Sequence, residues 1–550
     1  MTTHRSAIFQ LSDEYMVQSV ALSPINATSL GVPGYDHLLN DFSLAGSEKS
    51  AVLVRSTLAK LATLQPIDDI DRVAAAVLKE RLESGLALHD SHENHILWSV
   101  LASPVSSIRQ VFELMPHSSA AEIETITKRL GEVKKSMQSW VSCVTEMQKL
   151  GKVTARRQVL GVADQLAVYA QGAYQSFATG IDSDKKYPHL HSAAAQADAA
   201  CGEISKWLSD VYAPLSNPVD GVGIERYSHW SRYFTGATLD LKAIYEWGIQ
   251  DLAAINARMW RVAAQIKPDA KSLREVADYL ETAPDQLIHG SDALLTKLKD
   301  FTQAAVKKMD GTHFDIDDRI KFCDARLAPE GSAAAPYYMP PSEDLSRPGT
   351  TWYPTMGKDV FSWWHIASTW YHEAVPGHHL QCATAILESD RLTRFQRTDA
   401  WISGYGEGWA LYAERLMDEL GAFDEPGIEM GYLSGQALRA ARIVVDIGMH
   451  LGYKDENGNV WNAESAYETL VNKALMDEDF ARSEIDRYLG WPGQAISYKV
   501  GEKVWMQSRE DAKQRLGAAF GLKKFHSYAL KLGPMGLDPF AAELQRWDGK

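Results

Sequence analysis

The segment from His372 to His379 reads HEAVPGHH and combines imidazole and carboxylate side chains within a short stretch. A metallopeptidase needs two neutral imidazoles on one metal ion, and a neighbouring carboxylate that takes a proton from water. The usual spacing is HExxH, because residues i and i+4 lie on one face of a helix. Here Pro376 stands where the second histidine should be. The segment therefore predicts a zinc site of variant form, with Glu373 as its general base.

The proline and the glycine decide whether two histidines can share one metal ion. On a straight helix His372 and His379 would lie about 10.5 Å apart along the axis. That is too far for two ligands that must each reach within about 2.1 Å of zinc. Pro376 removes a helical hydrogen bond and Gly377 relaxes the backbone, so we expect a kink or a bulge. Such a bend can bring either His378 or His379 beside His372, and the spacing does not choose between them.

Two glutamates downstream would complete the centre. Glu407 and Glu414 lie in the stretch GYGEGWALYAE at a spacing that puts both on one face of a helix. Two carboxylates beside apolar residues need a cation or hydrogen-bond donors. We therefore expect Glu407 to be the third zinc ligand and Glu414 to orient a ligand histidine. The alternative is a solvated acidic face.

These two motifs resemble those of a known family. HEAVPGHHLQ followed by EGWALYAE resembles the hallmark of a bacterial family labelled as a domain of unknown function. The fold of that family is similar to that of the carboxypeptidase Taq-like zinc metallocarboxypeptidases, a gluzincin group that carries HExxH. In that group the third-ligand glutamate is followed by another at the spacing of Glu407 and Glu414. The resemblance spans nearly the whole chain, is strongest from Arg326 to Lys503, and implies an all-α, cleft-bearing, zinc-dependent peptide hydrolase.

Four later residues become candidates through the same resemblance. Tyr498 is the choice for the hydroxyl that stabilises the tetrahedral oxyanion in related gluzincins, with Gln494 as a substrate contact. Arg442 and Asp446 resemble an Ile-Arg…Ala-Asp motif of the Taq-like group. Arg442 would hold the terminal carboxylate of a substrate, and Asp446 would support the site without touching the metal. The alternatives are packing roles for Tyr498 and Gln494, and a structural Arg442–Asp446 pair across one helical turn.

Helical periodicity dominates the rest of the chain. Ser119 and Glu122 have the spacing of a capping box and precede a long amphipathic stretch. Clear alternating strands are scarce. We expect an all-α fold with a large two-lobed helical body around a deep central cleft. The N-terminal lobe would cover residues 1–220 and the catalytic lobe residues 221–550, within one continuous structural domain.

An insert rich in Pro, Gly and Ser, from Arg326 to Lys358, departs from this pattern. A long non-helical insert in a helical protein is often functional. Tyr337-Tyr338 and the residues from Thr350 to Tyr353 would be two short strands, which form at most a small β-hairpin near the active site. Tyr338 is then a candidate substrate contact. The alternative is a surface loop with aromatic anchors.

Composition narrows the classes of function and location. A net charge of −15 argues against a nucleic-acid-binding surface. The four cysteines are widely spaced without a CxxC pair, which favours a reducing compartment. The first residues do not resemble a signal peptide, and no run approaches the roughly 20 apolar residues of a membrane helix. We expect a cytoplasmic protein without nucleic-acid or membrane partners, and we keep a homodimer as an open expectation.

The leading hypothesis is a zinc-dependent peptide hydrolase, in particular a carboxypeptidase that acts on short peptides through a metal-activated water. A second hypothesis keeps the zinc but changes the substrate to small non-peptide amides or esters, since a fold does not fix a substrate. A third is a non-catalytic helical binding protein, in which the His and Glu residues form a buried polar network.

Overall fold

A computed structural model describes residues 6–329 and 335–550 of the chain. The described residues are mostly helical, with a few short strands, so the prediction of an all-α fold is confirmed. The helices have the following bounds: α1 Ala7–Leu22, α2 Pro24–Ser29, α3 Leu44–Leu61, α4 Asp69–Asp90, α5 Glu93–Ile96, α6 Pro104–Gln110, α7 Ala120–Lys149, α8 Arg156–Tyr169, α9 Ala173–Ile181, α10 Pro188–Trp207, α11 Gly223–Thr235, α12 Leu241–Ile266, α13 Leu273–Leu280, α14 Ser291–Met309, α15 Trp363–Glu373, α16 His378–Leu387, α17 Arg394–Thr398, α18 Ser403–Glu419, α19 Pro426–Leu451, α20 Ala463–Lys473, α21 Glu478–Gly490, α22 Ser497–Leu516, α23 Leu522–Lys531 and α24 Leu537–Arg546.

Shorter helical turns join some of these elements. They are the 3-10 turns Val111–Leu114, Ala213–Leu215, Asp318–Ile320 and Gly517–Ala519 and the π-helical turn Leu208–Tyr212. In the described ranges, no helix has the length and apolar content needed to cross a membrane.

The strands form two small sheets instead of the single hairpin that the sequence predicted. In one sheet, β4 (Thr350–Tyr353) lies between β2 (Asp324–Leu327), which runs parallel to it, and β3 (Tyr337–Met339), which runs antiparallel. The other sheet pairs β1 (Leu287–His289) antiparallel with β5 (Val360–Ser362), which leads directly into α15. The expected pairing of the two predicted strands is therefore present, and β2 adds a third strand to it.

Helix α7 begins where its sequence signals predict. The Ser119 side chain accepts a hydrogen bond from the Glu122 backbone N–H, and the Glu122 side chain accepts one from the Ser119 N–H. This reciprocal pair satisfies two backbone donors that have no partner inside the helix. The apolar face of α7 then packs against α10.

Two large hydrophobic cores organise the helices. One core is built from residues between Trp98 and Ala213, mainly from α7, α8 and α10. The other combines residues between Ile8 and Leu82 with residues between Tyr227 and Trp547. Helices α1, α3 and α4 thus share a core with the part of the chain that carries the chemical motifs. The division into lobes at residue 220 stays a prediction.

Helix α15, which ends in His372-Glu373, packs against α18 and α19. A close contact with α19 occurs at Gly431, where an added Cβ would collide with the backbone of Trp364 and His365. The absence of a side chain at Gly431 therefore lets the two helix backbones approach each other. This approach brings α19, the helix of Arg439 and Arg442, alongside the candidate centre.

Candidate metal centre

The predicted backbone bend lies between α15 and α16. Helix α15 ends at Glu373, the Val375–Pro376 peptide is cis, and the next helix begins at His378. The indole Nε1–H of Trp409 on α18 donates to the carbonyl oxygens of Pro376, at 2.9 Å, and of Gly377, at 3.1 Å. Because Trp409 follows Glu407 on the same helix, this contact ties the turn to the helix that supplies the carboxylate.

The turn brings two imidazoles to one carboxylate. The Oε2 atom of Glu407 lies 3.3 Å from Nε2 of His372 and 3.6 Å from Nε2 of His378. Within residues 6–329 and 335–550, these three side chains form the single group of three or more potential ligands whose donor atoms all lie within 4.8 Å of one another. Both histidines are buried and Glu407 is partly exposed.

This donor set fits a zinc ion. Four ligands about 2.1 Å from a tetrahedral centre are about 3.4 Å apart, close to the two measured separations. Two imidazole nitrogens and one carboxylate oxygen are typical of catalytic zinc sites, which keep the fourth position for water or substrate. The three residues present can therefore hold Zn²⁺.

The His379 side chain points away from the centre. This distinguishes it from His378, which the spacing in the sequence could not do. Its Nδ1 lies 3.0 Å from the Tyr338 hydroxyl, and its Nε2 lies 2.7 Å from the carbonyl oxygen of Ile320. A neutral imidazole has one donor and one acceptor nitrogen, so these two contacts use both. Burial lowers the pKa of His379 to about 4, which keeps the ring neutral. Of the two histidines that the sequence left open, this geometry therefore makes His378 the candidate second ligand.

Glu414 lies behind His372, as predicted. Its Oε1 is 2.8 Å from Nδ1 of His372, and its Oε2 accepts a 2.5 Å hydrogen bond from the Ser368 hydroxyl. An ionised carboxylate only accepts hydrogen bonds, so the His372 Nδ1 carries the proton and donates it. The other nitrogen, Nε2, faces Glu407 and the centre, where its lone pair would bind a metal ion in place of a proton.

The charges around the centre favour ionised carboxylates. Burial opposes ionisation of Glu407, but the two histidines outweigh it and hold the pKa of Glu407 well below its usual value. Burial also acts to lower the pKa of His372, yet Glu407 and Glu414 raise that pKa to about 9. The two carboxylates thus favour positive charge at His372. A bound divalent cation would supply that charge.

Glu373 has a different environment from the other carboxylates of the site. It is buried and lines the same cavity as His372 and His378, and its carboxylate makes no hydrogen bond to any described residue. Burial raises the pKa of Glu373 above its usual value. A carboxylate with free oxygens and a raised proton affinity suits a general base.

The cavity above the centre measures about 450 Å³ and includes several of the predicted substrate residues. Tyr338 lines it from β3, and Arg442 and Tyr498 line it from α19 and α22. The Tyr498 ring stacks on His372 with 6.4 Å between centroids, and the Arg442 guanidinium lies 4.6 Å from the centroid of that tyrosine ring.

Arg442 is held in place by a buried network. Its Nη2 donates to Oε2 of Glu484 at 2.8 Å, and its Nε donates to the Tyr488 hydroxyl at 3.0 Å. The alternative reading, a pair between Arg442 and Asp446, does not occur, because Glu484 on α21 binds the guanidinium. Its Nη1 makes no hydrogen bond among the described residues, and the Arg442 side chain lines the cavity.

Two of the predicted site residues, Asp446 and Gln494, form hydrogen bonds outside the candidate centre. The Asp446 Oδ2 accepts hydrogen bonds from the Tyr227 hydroxyl at 2.6 Å and the Gly493 N–H at 2.9 Å, so it does not support the metal ligands. Gln494 accepts a 2.6 Å hydrogen bond from Arg487 through Oε1 and is not part of the cavity wall. The partners of Asp446 come from distant segments, so helical spacing could not have indicated those contacts. Arg487 is a local partner at the end of α21, across the turn that leads to Gln494.

Arg439 and Trp401 line the cavity and were not among the predicted site residues. Arg439 lies one turn before Arg442 on α19, 3.8 Å from Oε1 of Glu414. The spacing of the two arginines places them on one helical face, which is the signal that could have found Arg439. Trp401 lies in the loop before α18, with its ring 6.0 Å from that of His378, and no pattern in the sequence marked it.

Comparisons with known proteins support the fold and identify a family. A family model described as "Bacterial protein of unknown function (DUF885)" matches residues 24–544. No curated protein matches the chain. A solved structure described as a "putative lipoprotein" from Colwellia psychrerythraea is 22% identical, with a TM-score of 0.84, and covers 98% of this chain and 99% of that chain.

A second structure, described as a "putative lipoprotein of unknown function" from Shewanella oneidensis, is 17% identical. Its TM-score is 0.77, and the match covers 98% of this chain and 100% of that chain. At these identities the likeness shows the shared fold alone.

The two solved structures also correct the predicted location. Both proteins are described as putative lipoproteins, and this description contradicts the prediction of a cytoplasmic protein. That prediction depended on first residues that do not resemble a signal peptide, on the lack of a long apolar run and on widely spaced cysteines, and none of these properties decides the compartment. The family model covers most of the chain, so the chain belongs to the bacterial family DUF885.

Proposed function

We propose that this protein is a zinc-dependent peptide hydrolase. The observation that carries the proposal is the convergence of His372, His378 and Glu407 on one point, with the unpaired carboxylate of Glu373 in the same cavity. In a metallopeptidase, three groups bind the metal ion and a fourth transfers protons. The two imidazoles and two carboxylates of this site are suited to the same roles.

The resemblance to the Taq-like metallocarboxypeptidases supports this proposal. The contact of Glu414 with His372 gives the second glutamate of the EGWALYAE motif the role of orienting a ligand. The position of the second histidine differs from HExxH, and the turn at Pro376-Gly377 compensates for the added residues by restarting the helix at His378.

The proposed chemistry assigns one role to each group. Zn²⁺ held by His372, His378 and Glu407 would supply Lewis-acid polarisation of the scissile carbonyl and of water. Glu373 would accept a proton from the attacking water on its free carboxylate and return it to the leaving nitrogen. Its carboxylate makes no hydrogen bond to the described residues, so both oxygens are available for that transfer.

Tyr498 is suited to stabilise the developing oxyanion. Burial and the nearby Glu407 raise the pKa of Tyr498, so its hydroxyl stays protonated and can donate a hydrogen bond. The adjacent Arg442 adds positive charge to the same wall. Donors fixed in place before the reaction are the usual means of stabilising such an intermediate.

Carboxypeptidase action is the preferred form of the proposal. Arg439 and Arg442 both line the cavity, and the Nη1 of Arg442 has no hydrogen-bond partner among the described residues. Two guanidinium groups beside the centre suit a substrate that ends in a free carboxylate. An amide or ester hydrolase for small neutral molecules would not need them.

The proposal is tested by zinc content and by Glu373→Gln. We expect about one zinc per chain in the purified protein, measured by elemental analysis. Cleavage of a peptide mixture should fall about 10²- to 10⁴-fold in Glu373→Gln, because the general base is lost while the ligands remain. Glu388→Gln is the control, since burial also raises the pKa of Glu388 and that residue does not line the cavity.

Peptides with an amidated C-terminus distinguish the preferred form. We expect amidation to abolish cleavage if the arginines bind the terminal carboxylate. Cleavage of blocked and free peptides at equal rates would leave an endopeptidase, and turnover of small esters without peptides would favour the second hypothesis. A chain without zinc, or full activity in Glu373→Gln, would refute the peptidase proposal.

A further inference from the structure

A second, smaller cavity lies beside the candidate metal centre. It measures about 140 Å³ and shares Pro340, Cys382 and Trp401 with the wall of the larger cavity. Its size is close to that of a cavity that holds a benzene ring, about 150 Å³. The space is therefore large enough for one amino-acid side chain and is adjacent to the place where a scissile bond would lie.

The wall of this cavity is unusually rich in buried polar atoms without partners. Gln381, Gln396 and Tyr405 are each at most 2% exposed. The Oε1 atoms of both glutamines, the Nε of Arg397 and the hydroxyl of Tyr405 make no hydrogen bond of normal geometry to any described residue. The Tyr405 hydroxyl lies near the Gln381 amide, which lowers its pKa against the larger effect of burial. Buried polar groups normally have a partner in protein, water or ligand, so this cluster marks a place where a polar group can bind.

The two glutamine oxygens are acceptors because the amide orientations are fixed. The Nε2 of Gln381 donates to the carbonyl oxygen of Tyr405 at 3.2 Å, and the Nε2 of Gln396 donates to that of Leu532 at 2.7 Å. Exchanging nitrogen and oxygen would place two acceptors against each other in both cases. The residues that line the cavity therefore carry two acceptors, one N–H donor on Arg397 and a hydroxyl that can do either, none with a hydrogen-bond partner among the described residues.

The charge of the wall limits what can enter. Arg397 donates from Nη1 to Glu343 at 3.2 Å, but Glu343 also accepts from Arg394, so one carboxylate serves two guanidinium groups. A cationic side chain would add to this excess of positive charge. A substrate carboxylate has only acceptor atoms, so it could not donate a hydrogen bond to either glutamine oxygen.

Building on the proposed peptidase activity, we propose that this cavity is a substrate side-chain subsite that selects a carboxamide, the side chain of glutamine or asparagine. A primary amide has two N–H donors for the two glutamine oxygens and one carbonyl oxygen for Arg397. It is planar, neutral and small enough for the space. The subsite would thus accept one substrate residue while the scissile bond lies over the metal centre.

The test is a series of alanine pentapeptides in which one position at a time carries Gln, Glu or Met. Methionine has nearly the length of glutamine without the amide, and glutamate has its shape with a charge. At one position we expect kcat/KM for the Gln peptide to exceed those for the Met and Glu peptides by at least about tenfold, because a pocket built for hydrogen bonds rejects a side chain that lacks them.

Two variants link the preference to the cavity. Tyr405→Phe removes one hydroxyl without a protein partner, so the fold should tolerate it, and Gln396→Met removes one acceptor at nearly constant size. Each should lower the preference for Gln over Met several-fold. Tyr174→Phe is the matched control, because Tyr174 also has a buried, unpartnered hydroxyl but belongs to the other core.

The outcomes separate this inference from the proposed function. Cleavage without a preference for Gln at any position, or a preference that neither cavity variant changes, overturns the inference and leaves the peptidase intact. If no peptide is cleaved, the peptidase proposal fails. Calorimetry then measures the binding of the same peptides to the zinc-loaded protein and tests whether the subsite exists. Tighter binding of a Gln peptide that weakens in Tyr405→Phe supports it, and equal binding of all three overturns it.

Discussion

The Nδ1–H of His372 donates a 2.8 Å hydrogen bond to Oε1 of Glu414, a buried carboxylate on the neighbouring helix α18. Glu407 lies earlier on the same face of α18. This helix therefore supplies one candidate ligand and orients another. A carboxylate bonded to the outer nitrogen of a ligand histidine fixes its ring and raises its basicity. The order of the two glutamates along α18 thus sets both contacts at once.

Glu414→Gln should weaken zinc binding about 10- to 100-fold, because the amide keeps the shape of the side chain but loses the charge that orients His372. Competition with a chromogenic chelator measures the affinity. Glu419→Gln is the control, since Glu419 ends the same helix and pairs with Arg509. An unchanged affinity in Glu414→Gln would show that the hydrogen bond does not tune the site.

The adjacent histidines should respond oppositely to alanine. His378→Ala removes a ligand, so we expect the zinc content to fall to near zero. His379→Ala should retain the zinc but destabilise the fold by about 2 kcal/mol, because it breaks the hydrogen bonds with Tyr338 and Ile320. Elemental analysis and urea unfolding are the two measurements. Loss of zinc in His379→Ala with retention in His378→Ala would reverse the ligand assignment.

Glycine replacements test the approach of α19 to α15. Gly431→Ala would force a Cβ against the Trp364 backbone, so we expect a loss of about 1–3 kcal/mol or more in the free energy of unfolding. Gly85→Ala, inside α4, meets no atom within 4 Å and should stabilise the protein by about 0.5–1 kcal/mol. Denaturant unfolding of both variants gives the comparison. Equal effects would mean that the contact at Gly431 relaxes freely.

Asp446 should make stability depend on pH. Burial raises its pKa from 3.8 to about 7, against the opposing hydrogen bonds from Tyr227 and Gly493 and the charge of Arg487. The nearby His450 stays neutral over this range, because burial lowers its pKa to about 4. The folded state holds the proton more tightly, so this contribution to stability is complete below about pH 4 and is lost as pH rises through 7. The loss is at most roughly 4 kcal/mol.

Asp446→Asn isolates that contribution. The variant cannot ionise at this position, so its stability relative to the natural chain should increase between pH 5 and pH 7 and level off above. Urea unfolding at several pH values measures the difference. A difference that does not change with pH would mean that Asp446 ionises in the folded state as readily as in the unfolded state.

Much of the fold and of the site follows from local sequence signals. Helical periodicity and the capping box at Ser119 depend on neighbouring residues, and the structure agrees with both. The Pro376-Gly377 pair predicts a break in the helix for the same local reason. The break was expected, but the direction in which α16 leaves it was not, because Trp409 from another helix holds the turn. The choice of His378 over His379 depends on that direction.

The predictions that failed depend on contacts between distant segments. Helical spacing suggested a pair between Arg442 and Asp446, but each has a stronger partner elsewhere: Glu484 for the arginine and Tyr227 for the aspartate. Similarly, β2 joins the predicted pair of strands as a parallel neighbour across the intervening insert. Spacing along the sequence indicates which residues are neighbours on one helix. It gives no information about partners from distant segments.

The core that unites the first helices with the last has a consequence for synthesis on the ribosome. Arg72 on α4 donates to Glu543 on α24 at 3.0 Å, so these partners are translated far apart in time. The core between Trp98 and Ala213 can close while the remaining chain is still being made. Helices α1, α3 and α4 contact one another, but the core that they share with the last helices is completed only when translation is almost finished. We therefore expect part of their apolar surface to stay exposed to aggregation until then.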